Sequence, residues 1–208
     1  MISSIDRALI AADNALRTVF GSVTPSRVTP GKGDTGPASP EDRRHVAGLM
    51  RVDHAGEICA QALYAGQSIV ARDPSVRDAL ERAGAEERDH LAWCSERLRE
   101  LDSRPSLLAP FWYAGSFALG VASGAAGDRW SMGFLVETER QVEKHLDGHI
   151  ERLPAGDSRS RAILDQMRED EISHAKTGQS LGAAELPAPI KGAMRIVAKV
   201  MTETAYRF

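Results

Sequence analysis

The chain has 208 residues, 42% hydrophobic and 26% charged, enough for one well-buried globular domain with extensions. A formal net charge of −3 argues against the broad basic field that nucleic acid binding needs, so no nucleic-acid partner is expected. Cys59 and Cys94 form no Cys-x-x-Cys pair and no zinc-type Cys/His spacing, and read as reduced core residues; the first residues lack the basic-then-apolar run of a secretory signal.

In chain order, residues 1–20 read as a short amphipathic helix. Ile2, Ile5, Leu9, Ala12, Leu16 and Val19 or Phe20 recur at steps of three and four. Residues 21–40, "GSVTPSRVTPGKGDTGPASP", have no apolar period and read as a flexible linker. Residues 41–208 read as the main domain. Its first helix opens at Pro40 behind Ser39, with Glu41 and Asp42 in the first turn, and runs to about Ala71. Pro74 separates it from a second helix over about 75–101. Residues 105–127 contain no charged side chain and are about the length of a membrane span. Pro110 and four glycines interrupt them, so they read as a buried or interfacial segment. Further helices follow over about 130–152, 158–181 and 190–204. Long helices, short breaks and no strand-like alternation give an all-α fold: an antiparallel four-helix bundle with extra N- and C-terminal amphipathic helices.

The second helix contains Glu87-x-x-His90 and the fourth of the bundle contains Glu171-x-x-His174. This spacing puts both side chains on one helix face, so each pair can reach one metal ion. Glu57 precedes Glu87 by 30 residues and Glu139 precedes Glu171 by 32, an approximate internal repeat. One glutamate from each of two helices and one Glu-x-x-His from each of two others is the ligand pattern of ferritin-like di-iron or di-manganese bundles. Four carboxylates, two neutral imidazoles and two divalent ions also balance in charge, and an oxygen-rich, thiolate-free set suits iron or manganese better than structural zinc. Glu137 rivals Glu139 by position, with Glu143 a further acid on that helix; Glu139 keeps the repeat interval better. Asp53 and Asp170 are candidates to accept a hydrogen bond from a ligand histidine, and His145 is a third outer candidate. His54 reads as an ordinary partly buried histidine and Tyr64 as core or pocket lining, while His45 and His149 stay unassigned.

The segments "LMRVDHAGEICAQALYAGQ" (49–67), "EERDHL" (86–91), "ETERQVEKHLDGHI" (137–150) and "DEISHA" (170–175) together resemble the Coq7 family of demethoxyubiquinone hydroxylases. The resemblance covers about residues 41–208. It implies a ferritin-like fold and a di-iron centre, hence two iron ions as cofactor. It also implies an O2-dependent monooxygenase that hydroxylates the ring of a polyprenyl-methoxy-methyl-benzoquinol in ubiquinone biosynthesis. Carried over motif by motif, the ligands and catalytic residues are Glu57, Glu87, His90, Glu139, Glu171 and His174.

Two other functions share parts of this sequence pattern. A ferritin-like ferroxidase or iron-storage protein would have similar metal helices. A metal-free helical scaffold for quinone-synthesis enzymes would not need the complete ligand set. The polyprenyl substrate favours a chain with an apolar entry at a bilayer, which residues 105–127 and "PIKGAMRIVAKVM" can supply, with Lys191, Arg195 and Lys199 near anionic headgroups. The expectation is therefore a peripheral protein on the cytoplasmic face of the cell membrane. Its partners would be the quinol, O2, the membrane surface and other quinone-synthesis proteins.

Overall fold

The computed structural model describes residues 4–21 and 23–208. Among the described residues seven helices follow one another: α1 (Ser4–Phe20), α2 (Pro40–Val70), α3 (Pro74–Glu100), α4 (Ala109–Ala125), α5 (Asp128–Arg152), α6 (Ser158–Ser180) and α7 (Ala188–Ala205). No strand occurs among the described residues, and the fold is an all-α, ferritin-like bundle. Helices α2, α3, α5 and α6 form its four-helix core.

Local chemistry sets where these helices begin. Ser39 accepts a hydrogen bond from the Asp42 amide ahead of Pro40, and Asp73 accepts one from Ser75 ahead of α3. Asp157 does the same for the Ser160 amide and also takes the Arg97 guanidinium at 2.9 Å, tying the start of α6 to α3. Asp128, in the first turn of α5, accepts from the backbone amides of Arg72 and Asp73 and so pins the α2–α3 turn.

Two apolar layers fill the bundle. One gathers Leu49 and Met50 of α2, Trp93 and Leu98 of α3, Leu146 of α5 and Met167 of α6. The other gathers Leu63 and Tyr64 of α2, Leu80 of α3, and Met132 and Leu135 of α5. The pairing of early α2 with late α5, and late α2 with early α5, makes these helices antiparallel. The polar cluster described below lies between the two layers, on residues intermediate in sequence along all four helices.

The uncharged segment 105–127 forms α4, laid along the outside of α2 through small residues. A Cβ on Gly120 would stand 2.2 Å from the Leu63 carbonyl oxygen, and one on Gly66 would stand 2.4 Å from that of Phe117. Neither obstacle is a flexible side-chain end, so the two backbones come this close only with glycine at both positions. No helix of the described residues is long and apolar enough to cross a membrane. Helix α1 docks through Thr18, whose hydroxyl donates to Gln61 at 3.0 Å, while Leu9, Leu16 and Phe20 stay exposed. Ile2, the first apolar position of the expected helix, lies outside the described residues.

Residues 23–39 carry no helix and lie along α3 and α6. Asp89 accepts from the Ser26 amide and hydroxyl, Glu96 accepts from Thr29, and Arg159 donates to the Pro30 carbonyl.

Gly120→Ala tests the α2–α4 contact. Helix propensity alone would reward alanine by about 1 kcal/mol, but the clash with backbone should outweigh it and leave a net loss of about 1–3 kcal/mol. Thermal unfolding followed by circular dichroism should show a lower midpoint; an unchanged or raised midpoint would mean that the contact is loose.

Candidate metal centre

Six ionisable side chains meet between the apolar layers: Glu57 from α2, Glu87 and His90 from α3, Glu139 from α5, and Glu171 and His174 from α6. All six residues are buried, with 7% exposure at most. They form two overlapping groups whose ligand-type atoms lie within 4.8 Å of one another. One group is Glu57, Glu87, His90 and Glu171; the other is Glu87, Glu139, Glu171 and His174. Glu87 and Glu171 belong to both, which is the arrangement of two carboxylates shared between two ions.

The histidines are oriented alike. His90 turns Nδ1 inward, 3.0 Å from Glu87 and 3.6 Å from both Glu57 and Glu171. Its Nε2 lies 2.8 Å from the Asp170 carboxylate. His174 turns Nδ1 toward Glu87 and Glu171, each at 3.3 Å, and its Nε2 lies 2.8 Å from Glu86. An acid on the far nitrogen holds a proton there, so that Nδ1, once free of its own proton, would present a lone pair to the cluster. The bracing is crossed: the acid preceding Glu171 on α6 holds the histidine of α3, and the acid preceding Glu87 on α3 holds the histidine of α6.

Electrostatics records the strain of placing four carboxylates in a dry layer. Burial, then the charge of Glu87, pushes Glu57 well above the usual carboxylate range; burial, then Glu171, does the same to Glu139. Burial opposes ionisation of Glu87 too, but hydrogen bonding with Glu57 and the charge of His90 hold it well below that range. Burial works against charge on both histidines. The surrounding carboxylates prevail, raising His90 far above its ordinary value and His174 to about 12. Oε2 of Glu57 and Oε1 of Glu87 are buried with no hydrogen-bond partner, consistent with atoms shaped to face a metal. Tyr64 donates its hydroxyl to Glu139.

Comparison with known proteins agrees with this geometry. Residues 44–205 match the family model described as ubiquinone biosynthesis protein COQ7. The chain belongs to the COQ7 family. It is 57% identical over 206 residues to the 3-demethoxyubiquinol 3-hydroxylase of Dechloromonas aromatica, covering 99% of this chain and all of the relative. It is 54% identical to the protein of that name from Polynucleobacter asymbioticus, over 99% of this chain and all of the relative. For the same-named protein of Aromatoleum aromaticum the identity is 57% over 98% of this chain and 99% of the relative.

Within this COQ7-family chain, Glu137 lies outside the six-residue cluster: it accepts from Gln141 at 2.7 Å and faces Lys191 at 3.6 Å. Asp53 and His145 depart from the expected outer roles. Asp53 lies one helical turn below Glu57, where it meets His149 at 2.8 Å and His145 at 3.8 Å rather than His90 or His174. His54 is turned away, 2.9 Å from the Ser95 hydroxyl, and burial lowers it to about 4.

Sequence reasoning missed Glu86 and Arg27. Glu86 was signalled, since each Glu-x-x-His is preceded by an acid. Arg27 lies in the non-helical segment, with no periodic signal. It bonds Asp89 at 2.9 Å and Asp170 at 2.8 Å and lies 4.7 Å over the Trp93 ring. Burial works to raise Asp170, but His90 and Arg27 together hold it below its ordinary range.

Glu86→Gln and Asp170→Asn should each weaken divalent-metal binding by roughly 10–100-fold with helicity unchanged. Competition against a metal-sensitive dye measures this, and wild-type affinity in both variants would deny the acids any role in orienting the histidines.

Proposed function

We propose that the chain is a 3-demethoxyubiquinol 3-hydroxylase. It adds a hydroxyl group to the ring of a polyprenylated methoxy-methyl-benzoquinol, using O2 and two iron ions held by Glu57, Glu87, His90, Glu139, Glu171 and His174. The observation that carries this reading is the pair of buried four-residue groups joined at Glu87 and Glu171. The names of full-length relatives supply the substrate and the reaction.

A bound iron pair would supply the two electrons and the Lewis-acid charge that activate dioxygen. The protein residues do the rest. Glu57 with His90 would hold one ion and Glu139 with His174 the other, with Glu87 and Glu171 available to both. Asp170 and Glu86 keep the imidazole protons on the outer nitrogens. Tyr64 fixes the Glu139 carboxylate from the apolar layer above it. Burial favours the neutral forms of Glu57 and Glu139, and metal held there would displace such protons. The apolar layers on either side exclude water from the reacting centre.

A cleft between α3, α5 and α6 reaches Glu86 and His174, but its volume is about 80 Å³. That is room for a few waters and far below the ~300–1,000 Å³ of a small-molecule pocket. As it stands this cleft does not hold the quinol ring. The outer flank of α2 is the favoured side, because the exposed apolar residues gather on the helices around it: Leu16 and Phe20 of α1, Phe111 and Leu119 of α4, and Ile196, Val197 and Val200 of α7. Trp112 of α4 and Met201 of α7 pack on the same α2 residues, Val52 and Ala55, so these surfaces adjoin. Arg195 and Lys199 stand exposed on α7 beside its apolar residues. This surface suits peripheral attachment to the cytoplasmic face of the membrane that dissolves the substrate.

Two outcomes are expected. Glu87→Ala and His174→Ala should each lose iron and lower hydroxylation of a short-chain demethoxyubiquinol beyond the roughly 10–100-fold typical of an outer partner, with helicity retained. Turnover preserved in both would refute the site, and iron mineralisation without quinol product would point to storage. Separately, the wild-type chain should float with anionic liposomes, and Phe111→Ser combined with Ile196→Ser should release it, since each buried apolar side chain is worth ~1.5–3 kcal/mol. Flotation of the double variant equal to wild type would place the contact on another surface.

A further inference from the structure

A second convergence of ligand-type side chains lies one layer below the cluster. Asp53 projects from α2 one turn before Glu57, and His145 and His149 project from α5. The His-x-x-x-His spacing stacks two imidazoles on one helix face, and their ring centroids are 3.9 Å apart. Asp53 Oδ1 lies 2.8 Å from His149 Nδ1 and 3.8 Å from His145 Nε2.

The hydrogen bonding of these groups is incomplete. The Asp53 side chain is fully buried, yet neither of its oxygens has a hydrogen-bond partner of acceptable geometry. His149 Nδ1 and His145 Nε2 are also buried without one. Orphaned polar atoms in such a place cost stability unless something else satisfies them. Asp53 Oδ1, His149 Nδ1 and His145 Nε2 converge, and a single cation could take one ligand atom from each residue.

We propose that Asp53, His145 and His149 form a second metal site, distinct from the six-residue cluster, that takes one divalent ion of the zinc type. Two imidazoles and one carboxylate are a nitrogen-rich set suited to zinc, unlike the oxygen-rich cluster above it. Three protein ligands leave a coordination position for water, and His145, about one-third exposed, provides the route by which an ion enters. An ion held here clamps α2 to α5, the helices that carry Glu57 and Glu139, one turn away from the cluster. The site stands independently of what the six-residue cluster binds.

The test is metal content. The full chain is first loaded anaerobically with ferrous iron, then titrated with zinc, and both metals are measured by mass spectrometry after desalting. One equivalent of zinc per chain should bind with iron content unchanged. Asp53→Asn and His145→Ala should lose that zinc while keeping iron and helicity; His145 lies at the edge of the core, so its variant preserves the test if Asp53→Asn does not fold. No zinc uptake, zinc that enters only as iron leaves, or zinc bound equally by both variants would overturn the proposal. If no iron binds but a zinc equivalent still depends on Asp53 and His145, the iron reading fails and this site stands.

Discussion

Four glutamates share one dry layer of a helix bundle, and their mutual repulsion is the constraint around which the molecule is arranged. Glu57, Glu87, Glu139 and Glu171 are all nearly inaccessible to solvent. Left ionised and unpaired, they would cost several kcal/mol each even after relaxation. Burial and mutual repulsion shift Glu57 and Glu139 toward their neutral forms, while the surrounding carboxylates favour charge on both histidines. Two divalent ions would neutralise the same charge and leave both histidines neutral. The bundle is thus prepared for cations, and metal uptake and proton release are two sides of one equilibrium.

The surroundings hold that layer in shape. Asp170 and Glu86 fix the imidazoles from outside, and Arg27 ties Asp170 to the segment before α2. A further anchor of this segment lies lower on the bundle, where Arg159 joins the Pro30 carbonyl to Glu96 and Glu100. A stretch with no helix of its own thereby reaches the outer side of His90 through a chain of charge-assisted hydrogen bonds. On the opposite flank the glycines of α2 and α4 let an uncharged helix lie directly on the helix that carries Glu57. The metal-binding layer and the apolar exterior are therefore separated by only one helix, α2.

Much of this was legible in the sequence because it follows helical periodicity. The two Glu-x-x-His pairs need only the knowledge of which residues share a face, and the 30- and 32-residue intervals favour Glu139 over Glu137. Depth and partner are different matters. Asp53 shares a face with Glu57, but a step of four residues moves it about 6 Å along the helix axis, past the histidines of α3 and α6 and level with those of α5. Glu86 has a side chain nearly half exposed, so its pattern is that of a solvated acid until the fold brings His174 to it. Arg27 acts from a segment whose conformation is set by tertiary bonds. The exposed stripe of α1 shows the same limit, because periodicity identifies an apolar face but not what that face meets.

The central claim is that Glu87 and Glu171 are shared by two ions in one cluster. Mössbauer spectroscopy of the iron-loaded, air-oxidised chain tests it most directly. Two ferric ions bridged by shared ligands should be antiferromagnetically coupled and give a diamagnetic ground state at low temperature, with two irons per chain. Magnetically split spectra of isolated ferric ions, or one iron per chain, would contradict the account.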